Sequence, residues 1–176
     1  AYADGLVPGT ATTTRLDGVK ALGASAYGNP ITYTPEDRPA RAFDGDPLTA
    51  WRVGAFDDVQ GDHIRVALDH PITTDHVNLV QALVPPNERH ITRLALRFDG
   101  GPPYVVSLDH ASRTARGQTV GFGRRSFRTL DLEILDTNLG RPLSYGGVSP
   151  VGFGEIRLRG DAPGARPIRV HEVVRM

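Results

Sequence analysis

Two carboxylates, a glycine, a proline and a hydroxyl fall within six residues of Ala40-Arg41-Ala42-Phe43-Asp44-Gly45-Asp46-Pro47-Leu48-Thr49-Ala50-Trp51, a run that ends on the single tryptophan of the chain. Asp44 and Asp46 supply hard oxygen donors, Gly45 permits a sharp bend, and Thr49 offers both a hydroxyl and a carbonyl. That is the chemistry of a tight loop folded around a hard cation. Asp-Gly-Asp-Pro is also a good β-turn that needs no ion. Trp51 reads as a core residue beneath the loop rather than a platform for a ligand ring.

The elements that position these residues read as strands. Gly (20) and Pro (14) punctuate short alternating runs. His63 to Asp69 places Ile64, Val66 and Leu68 on one face; Ile91 to Phe98 repeats the pattern and stops at Asp99-Gly100-Gly101-Pro102. Ser126 to Ile134 places Leu130, Leu132 and Ile134 together, and Glu155 to Arg159 and Ile168 to Val174 complete the set. No stretch makes an amphipathic helix of three turns. The pattern predicts an all-β fold: a jelly-roll β-sandwich of two packed antiparallel sheets. Residues 1–18 read as a peripheral arm or linker and 19–176 as one domain, without internal repeats. The strand arginines Arg65, Arg93, Arg97, Arg128, Arg157 and Arg159 read as a solvated outer face balanced by Asp131 and Glu133.

Composition narrows the partners. The chain has 176 residues, 39% of them hydrophobic, enough for one well-buried domain. Twenty basic and twenty acidic residues cancel, and the pI is about 7.2. No long-range field attracts nucleic acid or an anionic membrane. Lys20 is the one lysine, and cysteine is absent, which excludes disulfides and thiolate zinc sites. No apolar run approaches the length of a membrane span. The chain begins Ala1-Tyr2-Ala3 and reads as a segment of a larger or processed protein.

Catalysis finds little support. Glu88 with His90, Asp57 with Asp58, and Asp69 with His70 are conceivable acid–base pairs. Nothing in their spacing sets two carboxylates across a cleft, as glycoside hydrolysis requires. No serine sits in a nucleophile-elbow context, and no His pair has transition-metal spacing. The chain reads as a non-catalytic module.

The run from Ala40 to Trp51, together with Val151-Gly152-Phe153-Gly154-Glu155-Ile156-Arg157-Leu158, resembles the signature of the discoidin, or factor V/VIII type C, family of galactose-binding-like β-sandwiches, many of which bind sugars. The resemblance covers roughly residues 20 to 175. Carried over by position, it implies an ion held by the carbonyls of Arg41 and Gly154 and by Asp44, Asp46, Thr49 and Glu155. Six oxygen donors suit calcium, and sodium can occupy such sites. The implied role is structural: the ion ties a loop to a distant strand.

The same resemblance implies a sugar site on loops at one end of the strands, where a ring needs an aromatic face and its hydroxyls need planar polar side chains. Three loops qualify. One carries Asn87, Glu88, Arg89 and His90; a second carries Asn138, Arg141 and Tyr145. Residues 27–33 with Arg52 and Phe56 form a third wall. With its Arg-rich, Lys-poor composition, the chain looks like a discoidin-type module of an actinobacterial cell-wall enzyme. It is similar to the soluble region of the membrane-bound α-(1→3)-arabinofuranosyltransferases that branch mycobacterial arabinan. The resemblance implies an extracytoplasmic module that holds arabinan, arabinogalactan or lipoarabinomannan beside a tethered arabinofuranosyltransferase. The alternative is a structural sandwich that packs against the rest of its parent membrane protein and binds no glycan.

If the ion loop operates as implied, Asp44→Ala lowers the melting temperature and abolishes any rise that calcium produces. Identical melting of the unaltered chain with calcium and with chelator would contradict it.

Overall fold

The computed structural model describes residues 11–32, 34–140 and 148–175. The fold is an all-β sandwich. Its strands are β1 (Ala11–Asp17), β2 (Val19–Ala24), β3 (Trp51–Val53), β4 (His63–Gln81), β5 (Ile91–Phe98), β6 (Tyr104–Ser107), β7 (Gln118–Thr137), β8 (Val151–Arg157) and β9 (Arg169–Arg175). Helical structure among the described residues is limited to short 3-10 turns at Pro35–Asp37, Pro39–Ala42 and His110–Arg113.

Two long strands build both layers. The first half of β4 pairs with β2 and with the second half of β7, whereas its second half pairs with β8 and with the first half of β7. One layer runs β2–β4–β7–β5–β6 and the other β3–β8–β4–β7, with antiparallel ladders throughout. Register shifts between Ala67 and Ile72 and between Thr74 and His76 mark the crossing. Irregularities of this kind bend a strand and increase its twist. β1 and β9 form a separate antiparallel ribbon.

The alternation expected along the strands is present. Ile64, Val66, Leu68, Leu94, Leu96, Leu130, Leu132 and Ile134 are fully buried. On the opposite face Arg65 pairs with Asp131 at 2.5 Å and Arg97 with Glu133 at 3.0 Å, so two of the six strand arginines meet the acids expected to balance them. Arg157 instead donates to Asn78 Oδ1 and to the carbonyls of Ala115 and Arg116. Trp51 is fully buried and stacks on Phe153, with ring centroids 6.3 Å apart. Its indole N–H donates to the carbonyl of Ala26 at 2.9 Å. A second aromatic group joins Phe98 to Phe122 (4.7 Å) and Phe127 (4.9 Å), with the Arg125 guanidinium 4.5 Å above Phe98.

The strands are longer than their apolar pattern. β4 was expected to stop at Asp69 but continues through Pro71 to Gln81, and β7 begins at Gln118 rather than Ser126. Pro71 falls in the register gap between Ala67 and Ile72, where no ladder hydrogen bond is needed. Within the expected arm, residues 11–17 form β1 and pair with Arg169 to Arg175.

Trp51→Ala is expected to lower unfolding free energy by about 3–5 kcal/mol in urea denaturation. A loss below about 1 kcal/mol would remove Trp51 from the core that carries the ion loop.

Candidate functional site

A buried arginine organises the loops between the strands. Arg89 is 1% exposed. Its backbone N–H donates to Ser149 Oγ at 2.8 Å, its Nε to the Ser149 carbonyl at 3.1 Å and its Nη1 to the Asp57 carbonyl at 2.8 Å. Its Nη2 donates to the carbonyl of Gly54. The guanidinium fork thus joins the segment after β3 to the segment before β8. Burial lowers the Arg89 pKa, and the charges of Asp58, Asp57 and Asp62 oppose that shift. Gly54 has φ +74°, and a Cβ there would lie 2.0 Å from Val59 Cγ1, so the close approach requires glycine.

Phe56 projects from the loop that Arg89 grips. It has φ 66°, a left-handed conformation unusual for an aromatic residue, and its N–H donates to the carbonyl of Val148 at 3.1 Å. Such a backbone persists only where its surroundings impose it. Phe56 forms one wall of an open cleft of about 440 Å³, which Asn29, Glu36, Asp37, Arg52 and Glu88 also line. A smaller hollow of about 290 Å³ shares Glu36, Asp37 and Arg52 and reaches Arg41, Leu48 and Thr49. Arg52 is oriented by donation to the Val84 carbonyl. Desolvation raises the Asp37 pKa, while Thr34 and the Arg52 charge lower it. An aromatic face, a guanidinium and carboxylates around a shallow cleft offer ring stacking and bidentate hydrogen bonds to vicinal hydroxyls.

The expected ligand residues separate. Glu88 lines the Phe56 cleft, whereas Asn87 and His90 line a neighbouring pocket of about 230 Å³. Arg89 was expected to meet ligand from an exposed loop; burial and its carbonyl partners instead commit its guanidinium to holding the loops. Asn138 links two loops: its Oδ1 accepts from His90 N–H at 2.8 Å and its Nδ2 donates to the Glu88 carbonyl at 3.0 Å. Arg141 and Tyr145 lie outside the described residues. Of the third wall, Asn29, Arg52 and Phe56 come together as expected. Glu36 and Asp37 were not anticipated. Their signal was Pro35 followed by two acids, a common 3-10 start, and it carries no long-range information.

The Asp44 loop meets β8 as the resemblance implied. Thr49 Oγ1 donates to Asp44 Oδ2 at 2.8 Å, and Arg41 Nη1 lies 3.3 Å from the same oxygen. Glu155 is 1% exposed; its Oε1 accepts from Gly45 N–H at 2.6 Å and its Oε2 lies 3.2 Å from Arg169 Nη1. Desolvation raises the Glu155 pKa, opposed by the Gly45 N–H and Arg169. Gly154 drops out of the ladder, because Val80 pairs with Glu155 and Gln81 with Phe153. A Cβ on Gly154 would meet the carbonyl oxygens of Pro47 at 2.8 Å, Thr49 at 3.2 Å and Gln81 at 3.3 Å. This crowd of carbonyls beside a buried carboxylate is an all-oxygen donor set that fits a hard cation. Asp46 Oδ1 accepts from Leu48 N–H at 2.9 Å, so that carboxylate braces the turn. Elsewhere among the described residues, Asp75, His76 and Asp161 are exposed and close enough to share an ion. Arg124 already pairs with Asp161 at 2.7 Å.

No protein-family model matches the chain, and no curated protein matches it. Solved structures do. The arabinofuranosyltransferase AftD from Mycobacteria, determined by cryo-EM, aligns over 93% of the chain with a TM-score of 0.67 and 22% identity. The chain spans 12% of the length of that enzyme. A pectin-binding carbohydrate-binding module aligns over 78% of the chain and 88% of its own length, with a TM-score of 0.55 and 19% identity. The CBM32 module of AlyQ, in complex with 4,5-unsaturated mannuronic acid, aligns over 81% of the chain and 95% of its own length, with a TM-score of 0.52 and 14% identity. The chain therefore has the discoidin-like β-sandwich fold of these modules. Among the described residues no helix is long and apolar enough to cross a membrane.

Arg89→Met is expected to reduce stability by about 3 kcal/mol, because it strips donors from the carbonyls of Gly54 and Ser149, both on buried residues, and from that of Asp57. Urea unfolding within about 0.5 kcal/mol of the unaltered chain would refute its role in holding the loops.

Proposed function

We propose that this chain is a non-catalytic carbohydrate-binding module whose saccharide lies in the Phe56 cleft. The observation that carries the reading is that Phe56 lines one open hollow of about 440 Å³ together with Arg52, Asp37 and Glu36. The ring stacks a sugar face, and the charged groups, planar and partly desolvated, take its hydroxyls. The shared fold with carbohydrate-binding modules and with part of AftD supports the class of ligand. Arabinan, arabinogalactan or lipoarabinomannan is the proposed polymer, held on the extracytoplasmic side of a membrane arabinofuranosyltransferase. A module of this kind raises the effective concentration of polymer at a tethered enzyme even when its own affinity is weak.

Calcium, or sodium in its place, would be held by Asp44, Asp46, Thr49 and Glu155 with the carbonyls of Arg41 and Gly154. Bound there, the cation supplies a cross-link between the loop and β8. Asp46 braces the turn that presents these donors. Because Thr49 also lines the hollow adjoining the cleft, the ion loop supports the floor on which the polymer rests.

Titration of isotope-labelled chain with arabinan, arabinogalactan and galactan fragments, followed by NMR, tests this. Saturable shifts at Phe56, Arg52 and Asp37, weakened about tenfold by Phe56→Ala, are expected. No shift at millimolar sugar would instead favour a structural sandwich that packs against its parent protein.

A further inference from the structure

The pocket beside the Phe56 cleft differs from it in charge. It is lined by Gln81, Asn87, Arg89, His90, His110 and Arg113 together with residues 150–152, and among the described residues no carboxylate lines it. The cleft next to it sets three carboxylates, Glu36, Asp37 and Glu88, against one guanidinium, Arg52. Two hollows of opposite character therefore meet at Pro150, which lines both.

The basic groups are held in place from behind. Gln81 is 3% exposed; its Nε2 donates to the Ile91 carbonyl at 2.9 Å and to Ser112 Oγ at 2.8 Å, and its Oε1 accepts from Ile91 N–H at 2.7 Å. Ser112 is itself fully buried and donates to the Asp109 carbonyl at 2.6 Å. Asp109 Oδ1 accepts from Ala111 N–H at 2.7 Å. These bonds fix the turn His110–Arg113, so His110 and Arg113 reach the pocket from a rigid support. Neither side chain makes a hydrogen bond or ion pair among the described residues. Burial lowers the His90 pKa, and the Arg113 charge lowers it further. That places the guanidinium close enough to act on the imidazole.

We propose that this pocket is an anion subsite that receives one oxyanion, a carboxylate or a phosphate, carried by a saccharide whose neutral part lies in the Phe56 cleft. A rigid turn presenting a free guanidinium beside two imidazoles and the Asn87 amide, which keeps one N–H beyond its bond to the Leu83 carbonyl, matches the several acceptor oxygens of such a group. Gln81 spends both its amide hydrogens on holding the turn. The volume of about 230 Å³ is below that of pockets enclosing whole drug-sized ligands, and suits a charged substituent. The contrast in lining sets the direction of binding: the carboxylates beside Phe56 repel an anion that enters the wrong hollow. The inference rests on the carbohydrate reading only for the molecule that carries the anion.

Labelled chain is titrated separately with glucuronic acid, glucose 6-phosphate, inorganic phosphate and glucose, with the side-chain signals of Gln81, Asn87, His90, His110 and Arg113 followed by NMR. Glucuronic acid or glucose 6-phosphate is expected to shift these signals saturably, and whichever acts identifies the anion as carboxylate or phosphate. Inorganic phosphate shifting the same signals would establish the subsite even if no sugar reached Phe56, the result that separates it from the carbohydrate reading. Glucose is expected to leave them unmoved. Arg113→Gln, at an exposed position, is expected to weaken anion binding about tenfold or more while the remaining spectrum is retained. Equal shifts with glucose and its charged counterparts, no shift with any anion, or unchanged anion affinity in Arg113→Gln would overturn the proposal.

Discussion

The loop end of this sandwich depends on one buried cation that belongs to the chain itself. Arg89 reaches the carbonyls of Gly54, Asp57 and Ser149, and without it the acceptors on the buried Gly54 and Ser149 would lose their donor. A buried guanidinium is tolerable only when its donors are matched, which makes the arrangement nearly all-or-none. The consequence appears at Phe56, whose left-handed backbone is held between Gly54 and Val148. Sequence dictates a fork-shaped donor at position 89, that donor fixes two loops, and the loops present an aromatic wall. Asn138 adds a second tie by joining the Glu88 and His90 backbones to the end of β7.

A comparable clamp holds the Asp44 loop. Glu155 reaches from β8 to Gly45 N–H while Arg169 balances its charge, so a loop, a central strand and the final ribbon are joined through one carboxylate. Its place follows from the irregular register at Val80 and Gln81, which frees Gly154 from the ladder and lets the Asp44 loop press against bare backbone. Arg52 lines both hollows. Rigidity at such a site reduces the ordering penalty that weak, extended ligands otherwise meet.

Much of this was legible beforehand, for definable reasons. Strict alternation at Ile64, Val66 and Leu68 and again at Leu130, Leu132 and Ile134 reports a face buried against another sheet, and the structure buries those residues. Asp44, Thr49 and Trp51 lie close in sequence, so their spacing alone joined the loop to the core; Asn29, Arg52 and Phe56 were readable as a wall. The full lengths of β4 and β7 were not, because Pro71, Gly121 and Gly123 punctuate a chain that bends there without ending the strand. Arg89 misled because a charged residue between Glu88 and His90 looks solvated. Its partners lie 32, 35 and 60 positions away, and no local pattern encodes such pairings. Glu36 and Asp37 escaped notice for the same reason.

The most direct test of the account is a crystal structure of the chain with an arabinofuranose oligosaccharide. The account predicts a sugar ring against Phe56, with hydroxyls on Arg52 and Asp37 and the Gly54–Asp57 loop still gripped by Arg89. Sugar bound on another surface, with the Phe56 cleft filled by water, would contradict it.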